Sequence, residues 1–245
     1  MIDGWLAVYL RETIILRRRL TRLIPAWSVS PLLYLVAFGF AVGRNSVVHG
    51  HTYLEFLLPG LLAMTSMTQA FAIASEINVA RFYHHIFEEF QAAPISNAGY
   101  VLGEVLAAIT RALLAGTVII ILGLLFGVFM SFNIAFLLGY LLNAFIFASL
   151  AVALAMLVKS HADQTLLTSF IITPMGFLGG TFFPLESLPS WVQKVLAIAP
   201  LTHAVRAIRA ASFGESASPT DFAILAVLGC VTFVFAVSCV NKARD

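Results

Sequence analysis

The chain has 245 residues, of which 60% are hydrophobic and only 11% charged, with a formal net charge of +2 and a mean hydropathy of +0.96. Soluble domains carry roughly 25% charged residues, so this chain lacks the polar surface to enclose a water-soluble core, and its apolar side chains must face lipid. A membrane span takes about 20 apolar residues, which leaves room for about six spans with short connections and excludes a large soluble domain.

Residues 5–24 (WLAVYLRETIILRRRLTRLI) predict an amphipathic helix. Trp5, Tyr9, Leu16, Leu20 and Leu23 lie along one side, and Arg11, Arg18 and Arg22 along another. A helix of this kind rests in the membrane interface with its cations near anionic headgroups. The arginines alternatively serve only as a topology signal, and both readings put this end in the cytoplasm. The arginine-rich stretch reads as a lead-in to a retained span rather than as a cleavable signal peptide.

Six spans are expected, at roughly 26–43, 56–76, 99–128, 133–157, 164–183 and 220–240. With the N-terminus inside, nine Lys and Arg residues fall on inner segments and four on outer ones, while Arg111 falls within the third span. That bias places both termini in the cytoplasm. No internal repeat marks the six spans, which weighs against many secondary transporters. GxxxG occurs at Gly39–Gly43 and Gly123–Gly127, weak evidence for helix contacts in so glycine-rich a chain. Cys230 and Cys239 stand about 13 Å apart along one helix and cannot bridge each other.

Two stretches are more than spans and loops. The connection between spans two and three, INVARFYHHIFEEFQAAPIS, sets Phe82, Tyr83, Ile86, Phe87 and Phe90 at helical spacing. Its other face carries Arg81, His84, His85, Glu88 and Glu89, and Pro94 ends it. Anionic headgroups repel two adjacent carboxylates, so this amphipathic helix fits a protein partner better than passive contact with lipid. The second stretch, FFPLESLPSWVQKVLAIAPLTHAVRAIRAASFG, is apolar but divided by Pro184, Pro189 and Pro200. Its pieces near 190–199 and 201–213 each reach only about 15 Å, half of the ~30 Å hydrocarbon core. They predict a helical hairpin that dips in from the outer face and returns.

Glu104 and Arg111 lie in span three, seven residues apart on one face. Charges inside a membrane cost about 3 kcal/mol or more and rarely face lipid. The two side chains can approach each other, pair with another helix, or meet water at the helix end. Thr65, Ser66, Thr68, Gln69, Asn143, Thr168, Ser169 and Thr173 within spans either line a pathway or bond to their own or neighbouring helices. The six histidines are scattered, and neither catalytic nor metal-binding residues are expected.

These features together resemble the type-2 ABC exporter permeases, nearest to the nodulation-factor exporter permeases and related drug and polysaccharide permeases. The matching stretches are YLEFLLPGLLAM (Tyr53–Met64), EEFQAAPIS (Glu88–Ser96) and FFPLESLPSWVQKVLAIAPLTHAVRAIR (Phe182–Arg209). His84-His85 and Phe87 ahead of the acids depart from the family pattern.

The resemblance implies an all-α integral membrane fold: an interfacial helix over 1–25, six transmembrane helices and a single permease domain. Spans one to five would occupy 26–183, with a cytoplasmic coupling helix at about 78–91. A re-entrant outer hairpin would occupy 184–214, built on Pro184, Pro189, Trp191, Pro200, His203 and Arg209, ahead of span six at 220–240. Phe87, Glu88, Glu89, Phe90 and Pro94 would form the surface that meets an ATPase. Two permease copies, a homodimer, would each dock on a cytoplasmic ABC ATPase in the bacterial inner membrane. They would export an amphiphilic or lipid-linked substrate: a lipo-oligosaccharide, a polysaccharide or a drug.

The three lysines follow Val158, Gln193 and Asn241, so the Gly-Lys of a phosphate-binding loop does not occur. ATP and Mg are therefore expected in the partner chain, with no cofactor on this one. Membrane lipid is a further expected partner, and nucleic acid is not. The alternative is a gradient-driven carrier or channel using Glu104.

Overall fold

The computed structural model describes residues 3–41, 47–48, 50–83, 90, 93, 95–158 and 160–244. Helix α1 spans Asp3–Ala41 and is followed by a short antiparallel pair, β1 (Val47–Val48) and β2 (His51–Thr52). Helices α2 (Tyr53–Phe71) and α3 (Ile73–Phe82) follow one another through Ala72, which is itself right-handed helical. Next come α4 (Asn97–Leu125) and α5 (Ile134–Leu157). A broken run then comprises α6 (His161–Leu167), a π turn (Thr168–Ile172) and α7 (Thr173–Leu178). A 3₁₀ turn (Leu185–Ser187) leads to α8 (Ser190–Leu196), α9 (Pro200–Ser212) and α10 (Pro219–Arg244).

The protein is an all-α membrane protein. Among the described residues, five helical runs are long and apolar enough to cross a bilayer: Gly4–Gly39, Tyr53–Phe82, Asn97–Leu125, Ile134–Leu157 and Pro219–Ala243. The stretch expected as a fifth span over 164–183 is helical from His161 to Leu178 in three pieces, a rise of about 27 Å at 1.5 Å per residue. Pro174 explains the break. It has no N–H to continue the ladder, and the π turn just before it absorbs the mismatch, with Thr173 Oγ1 donating to the Thr168 carbonyl at 3.1 Å.

The expected interfacial helix and first span are one continuous helix, with Pro25 and Pro31 inside it. Helix α4 carries both halves: Leu16, before Pro25, and Trp27, after it, belong to one buried cluster with Ala115. A neighbouring helix that supports both sides lets proline persist inside a span. Nearer its start, α1 lies on Gly103, where an added Cβ would stand 2.6 Å from Val8 Cβ and 2.7 Å from the Trp5 carbonyl oxygen. Gly103→Leu is therefore expected to force α1 off α4 and destabilise the protein by about 3 kcal/mol. Thermal unfolding of the purified variant in mild detergent checks this, and a wild-type midpoint would contradict the contact.

Helices α2–α3 and α5 form the most buried part of the bundle. Their apolar faces are joined by polar bonds at mid-depth. Asn143 donates to the Ala63 carbonyl at 3.0 Å and to Ser66 Oγ at 3.2 Å, and Ser66 Oγ donates to the Tyr140 carbonyl at 3.1 Å. Tyr140 in turn donates to the Ala112 carbonyl on α4 at 2.5 Å. Ser66 and Asn143, both fully buried, thus bond helix to helix. Thr65, Thr68 and Gln69 instead line a cavity between α1 and α2.

The helix ends follow from local sequence. Thr52 caps α2 reciprocally with Glu55. Gly127, at φ +77°, stops α4, with the Val128 N–H returning to the Gly123 carbonyl at 2.9 Å. Gly127 thus terminates the helix, whereas Gly123 is a helix contact, where an added Cβ would run into Leu58 Cδ2 of α2. Arg81 donates to the carbonyls of Ala155 and Met156, both at 3.0 Å, and closes the C-terminal end of α5.

Candidate functional site

Polar side chains gather at the two ends of the bundle. The first cluster lies where α1, α3 and the start of α4 meet, beside the α3–α4 connection. The stripe Val8, Glu12, Leu16 repeats every four residues and turns inward, so Glu12 is only 7% exposed. Arg11 pairs with Glu12 and lies 5.4 Å above the Phe90 ring. Phe90 also packs on Tyr100 at 5.3 Å between ring centroids. A residue of the α3–α4 connection thereby touches both α1 and α4. Phe87, Glu88, Glu89 and Pro94, expected beside it, lie outside the described residues, as do His84 and His85.

One turn deeper, Arg111 on α4 pairs with Glu76 on α3 and donates from Nε to Gln69 Oε1 at 3.3 Å. Glu104 is 2% exposed and faces a cavity of about 430 Å³ together with Glu12, Glu76 and Tyr100. The same-face spacing of Glu104 and Arg111 does not produce a mutual pair, because the neighbouring helix brings Glu76 to the arginine first. Glu76 on α3 is the counter-ion of the intramembrane cation. Arg18 and Arg22 lie on the exposed side of α1, whereas Arg11 turns into the bundle.

The second cluster, at the opposite end, is the α8–α9 hairpin. Pro200 starts α9, where its fixed φ and missing N–H suit the first helical turn. Helix α9 packs on α5, α2 and α10. Its Arg209 donates from Nε to the Phe56 carbonyl at 3.3 Å and from Nη2 to the Gly180 carbonyl at 2.8 Å. The guanidinium carbon lies 3.8 Å above the Phe56 ring. Gly180, at φ +89°, gives the turn after α7 its left-handed residue. His203 is buried between Asp221 Oδ1, 2.6 Å from Nδ1, and the Ala197 carbonyl, 2.8 Å from Nε2. Both ring nitrogens therefore have a polar partner.

The prolines of the hairpin mark its corners: Pro184 precedes the 3₁₀ turn and Pro189 the first helix. Trp191 and Val195 are exposed, as is Ile198 just past the helix, so α8 presents an apolar outer face. Sequence reasoning did not reach Glu12, Glu76 or Asp221 as partners. The spacing of Glu12 from Val8 and Leu16 was a usable signal, whereas Asp221 bonds His203 only through the packing of α10 on α9.

Apart from Asp221, both clusters fall within the region that matches a family model described as ABC-2 type transporter, over residues 5–213. The chain belongs to the ABC-2 type transporter family. It is 28% identical over 221 residues to the inner membrane transport permease YadH of Escherichia coli strain K12, covering 88% of this chain and 86% of that one. Nodulation protein J of Rhizobium meliloti strain 1021 is 30% identical over 219 residues, covering 86% of this chain and 82% of its own. Nodulation protein J of Rhizobium leguminosarum bv. viciae is 29% identical over 215 residues, with 86% and 83% covered. The ABC-2 match takes in α1 through α9, so the Arg111–Glu76 pair and the Arg209 anchor both belong to the family's shared region. Among the described residues, no three His, Cys, Asp or Glu side chains are placed to hold a metal ion.

Proposed function

We propose that this ABC-2 permease works as an exporter subunit in the bacterial inner membrane, paired with a second copy and powered by a separate cytoplasmic ATPase. The substrate class is an amphiphile or a lipid-linked saccharide. The α3–α4 connection faces the cytoplasm in this reading, and the α8–α9 hairpin dips in from the outer face. The carrying observation is Phe90, which packs on Tyr100 of α4 and under Arg11 of α1. A push on this connection bears on two membrane helices at once. Closure of an ATPase dimer against Glu88 and Glu89 would therefore shift α1 and α4 together. Family membership and a relative described as an inner membrane transport permease support the same reading.

The reading is tested by reversing the two acids. Glu88→Lys with Glu89→Lys is expected to lower ATPase association at least tenfold, a loss of about 1.4 kcal/mol or more, with the permease's thermal midpoint unchanged. Full association in the double variant would remove this segment as the docking surface. Glu104, a buried acid in a polar cavity, is what a gradient-driven carrier would use instead. Transport that persists without ATP and stops in Glu104→Gln would favour that second reading.

A further inference from the structure

The cavity between α1, α3 and α4 has a feature that an ATP-driven permease does not itself require. Its volume of about 430 Å³ falls in the range of small-ligand clefts, roughly 300–1,000 Å³, and far exceeds the ~30 Å³ share of one water. Three carboxylates line it. Two are already matched: Glu12 by Arg11 and Glu76 by Arg111. The third, Glu104, is 2% exposed; it shares a side-chain hydrogen bond with Tyr100, while its Oε2 has no hydrogen-bond partner among the described residues. A buried carboxylate oxygen left unpartnered is costly, so the cavity holds an acceptor still open to a donor.

The chemistry of that donor follows from the walls. The acids do not converge as metal ligands do, which disfavours a bare divalent cation. Ile15, Ile77 and Val79 give the cavity apolar sides, while Arg19 stands at it as a surface cation. Such a site suits a molecule with an ammonium group, a neighbouring anion and an alkyl portion. We propose that this cavity binds the ammonium headgroup of an amphiphile, an aminophospholipid type of molecule, with Glu104 as its counter-ion and Arg19 beside its phosphate. A primary ammonium has three N–H donors to offer Glu104, and a quaternary choline has none. Phe90 also lines the cavity, so an occupant would brace the connection between α3 and α4.

The test places purified wild-type protein in nanodiscs holding equal amounts of phosphatidylethanolamine, phosphatidylcholine and phosphatidylglycerol with identical acyl chains. Native mass spectrometry then reads which lipid stays bound. The ethanolamine lipid is expected to be retained about tenfold over the choline lipid, and Glu104→Gln to reduce it to the choline level. Should that variant fail to fold, the wild-type protein still decides the matter: dodecylammonium displaces the retained lipid, whereas dodecanol does not. Displacement by soluble phosphoethanolamine as well would locate recognition in the headgroup alone, and its failure would assign the site to a membrane-borne amphiphile. Equal retention of the three lipids, or unchanged retention in Glu104→Gln, would overturn the proposal. The readout involves no nucleotide and is independent of the transport mechanism.

Discussion

Replacing Arg209 with methionine is expected to cost about 4 kcal/mol and to release the α8–α9 hairpin from the bundle. Arg209 bonds the carbonyls of Phe56 and Gly180 and stacks on the Phe56 ring. It thereby ties α9 to α2 and to the turn after α7. Phe56 O sits within α2, where a helical carbonyl already accepts from its own helix, so losing the arginine there matters less. Gly180 O lies in a turn, and leaving it unpaired in apolar surroundings costs about 1–3 kcal/mol. A desolvated cation–ring contact adds about 2 kcal/mol. Methionine fills much of the volume but supplies neither donor. Lysine keeps one donor and the charge, so Arg209→Lys should fall between methionine and wild type. Close packing makes the site unforgiving, since a Cβ on Gly60 would already stand 3.1 Å from Arg209 Nη2 and 2.6 Å from the Thr181 carbonyl oxygen. Thermal unfolding in mild detergent, with limited proteolysis near residues 184–200, measures the effect. A methionine variant as stable and as protease-resistant as wild type would refute the anchor.

The second large effect is expected at Arg111. Its side chain is 12% exposed and that of Glu76 is 29% exposed, so removing one partner strands a largely buried charge. Arg111→Met should destabilise the protein by about 3–5 kcal/mol, the more so because Glu12 and Glu104 line the same cavity as Glu76. The double variant Arg111→Met with Glu76→Gln should recover most of that loss, since no ion then lacks its partner. Glu76→Gln alone leaves the arginine a neutral acceptor and should cost less than Arg111→Met. Midpoints for the four proteins form a double-mutant cycle. Additive losses would show that the pair does not act as one unit.

Composition and the placement of apolar runs were enough to read an all-α membrane protein, and the prolines marked the hairpin's corners because each removes a backbone donor. The interfacial helix over 5–24 and the first span at 26–43 were expected as separate pieces, but α4 packs on both sides of Pro25 and holds α1 in one piece. The π turn before Pro174 left no trace in hydropathy, since a register shift within a helix does not alter which residues are apolar. Glu104 and Arg111 were legible as intramembrane charges from the sequence of α4 alone. Their partners were not, because Glu76 reaches Arg111 only through the crossing of α3 on α4. Likewise Arg209 stood out as a cation in an apolar stretch, while its acceptors, two backbone carbonyls, have no signature in sequence.

The central claim is that this permease is driven by an ATPase on another chain, and capture of the tagged wild-type protein from its native membrane tests it most directly. Mass spectrometry of the captured complex and an assay of ATP turnover form the measurement. A P-loop ATPase in equal proportion to the permease is expected, with ATP hydrolysis recovered in the complex. A permease captured intact with no P-loop chain and no ATP turnover would contradict it.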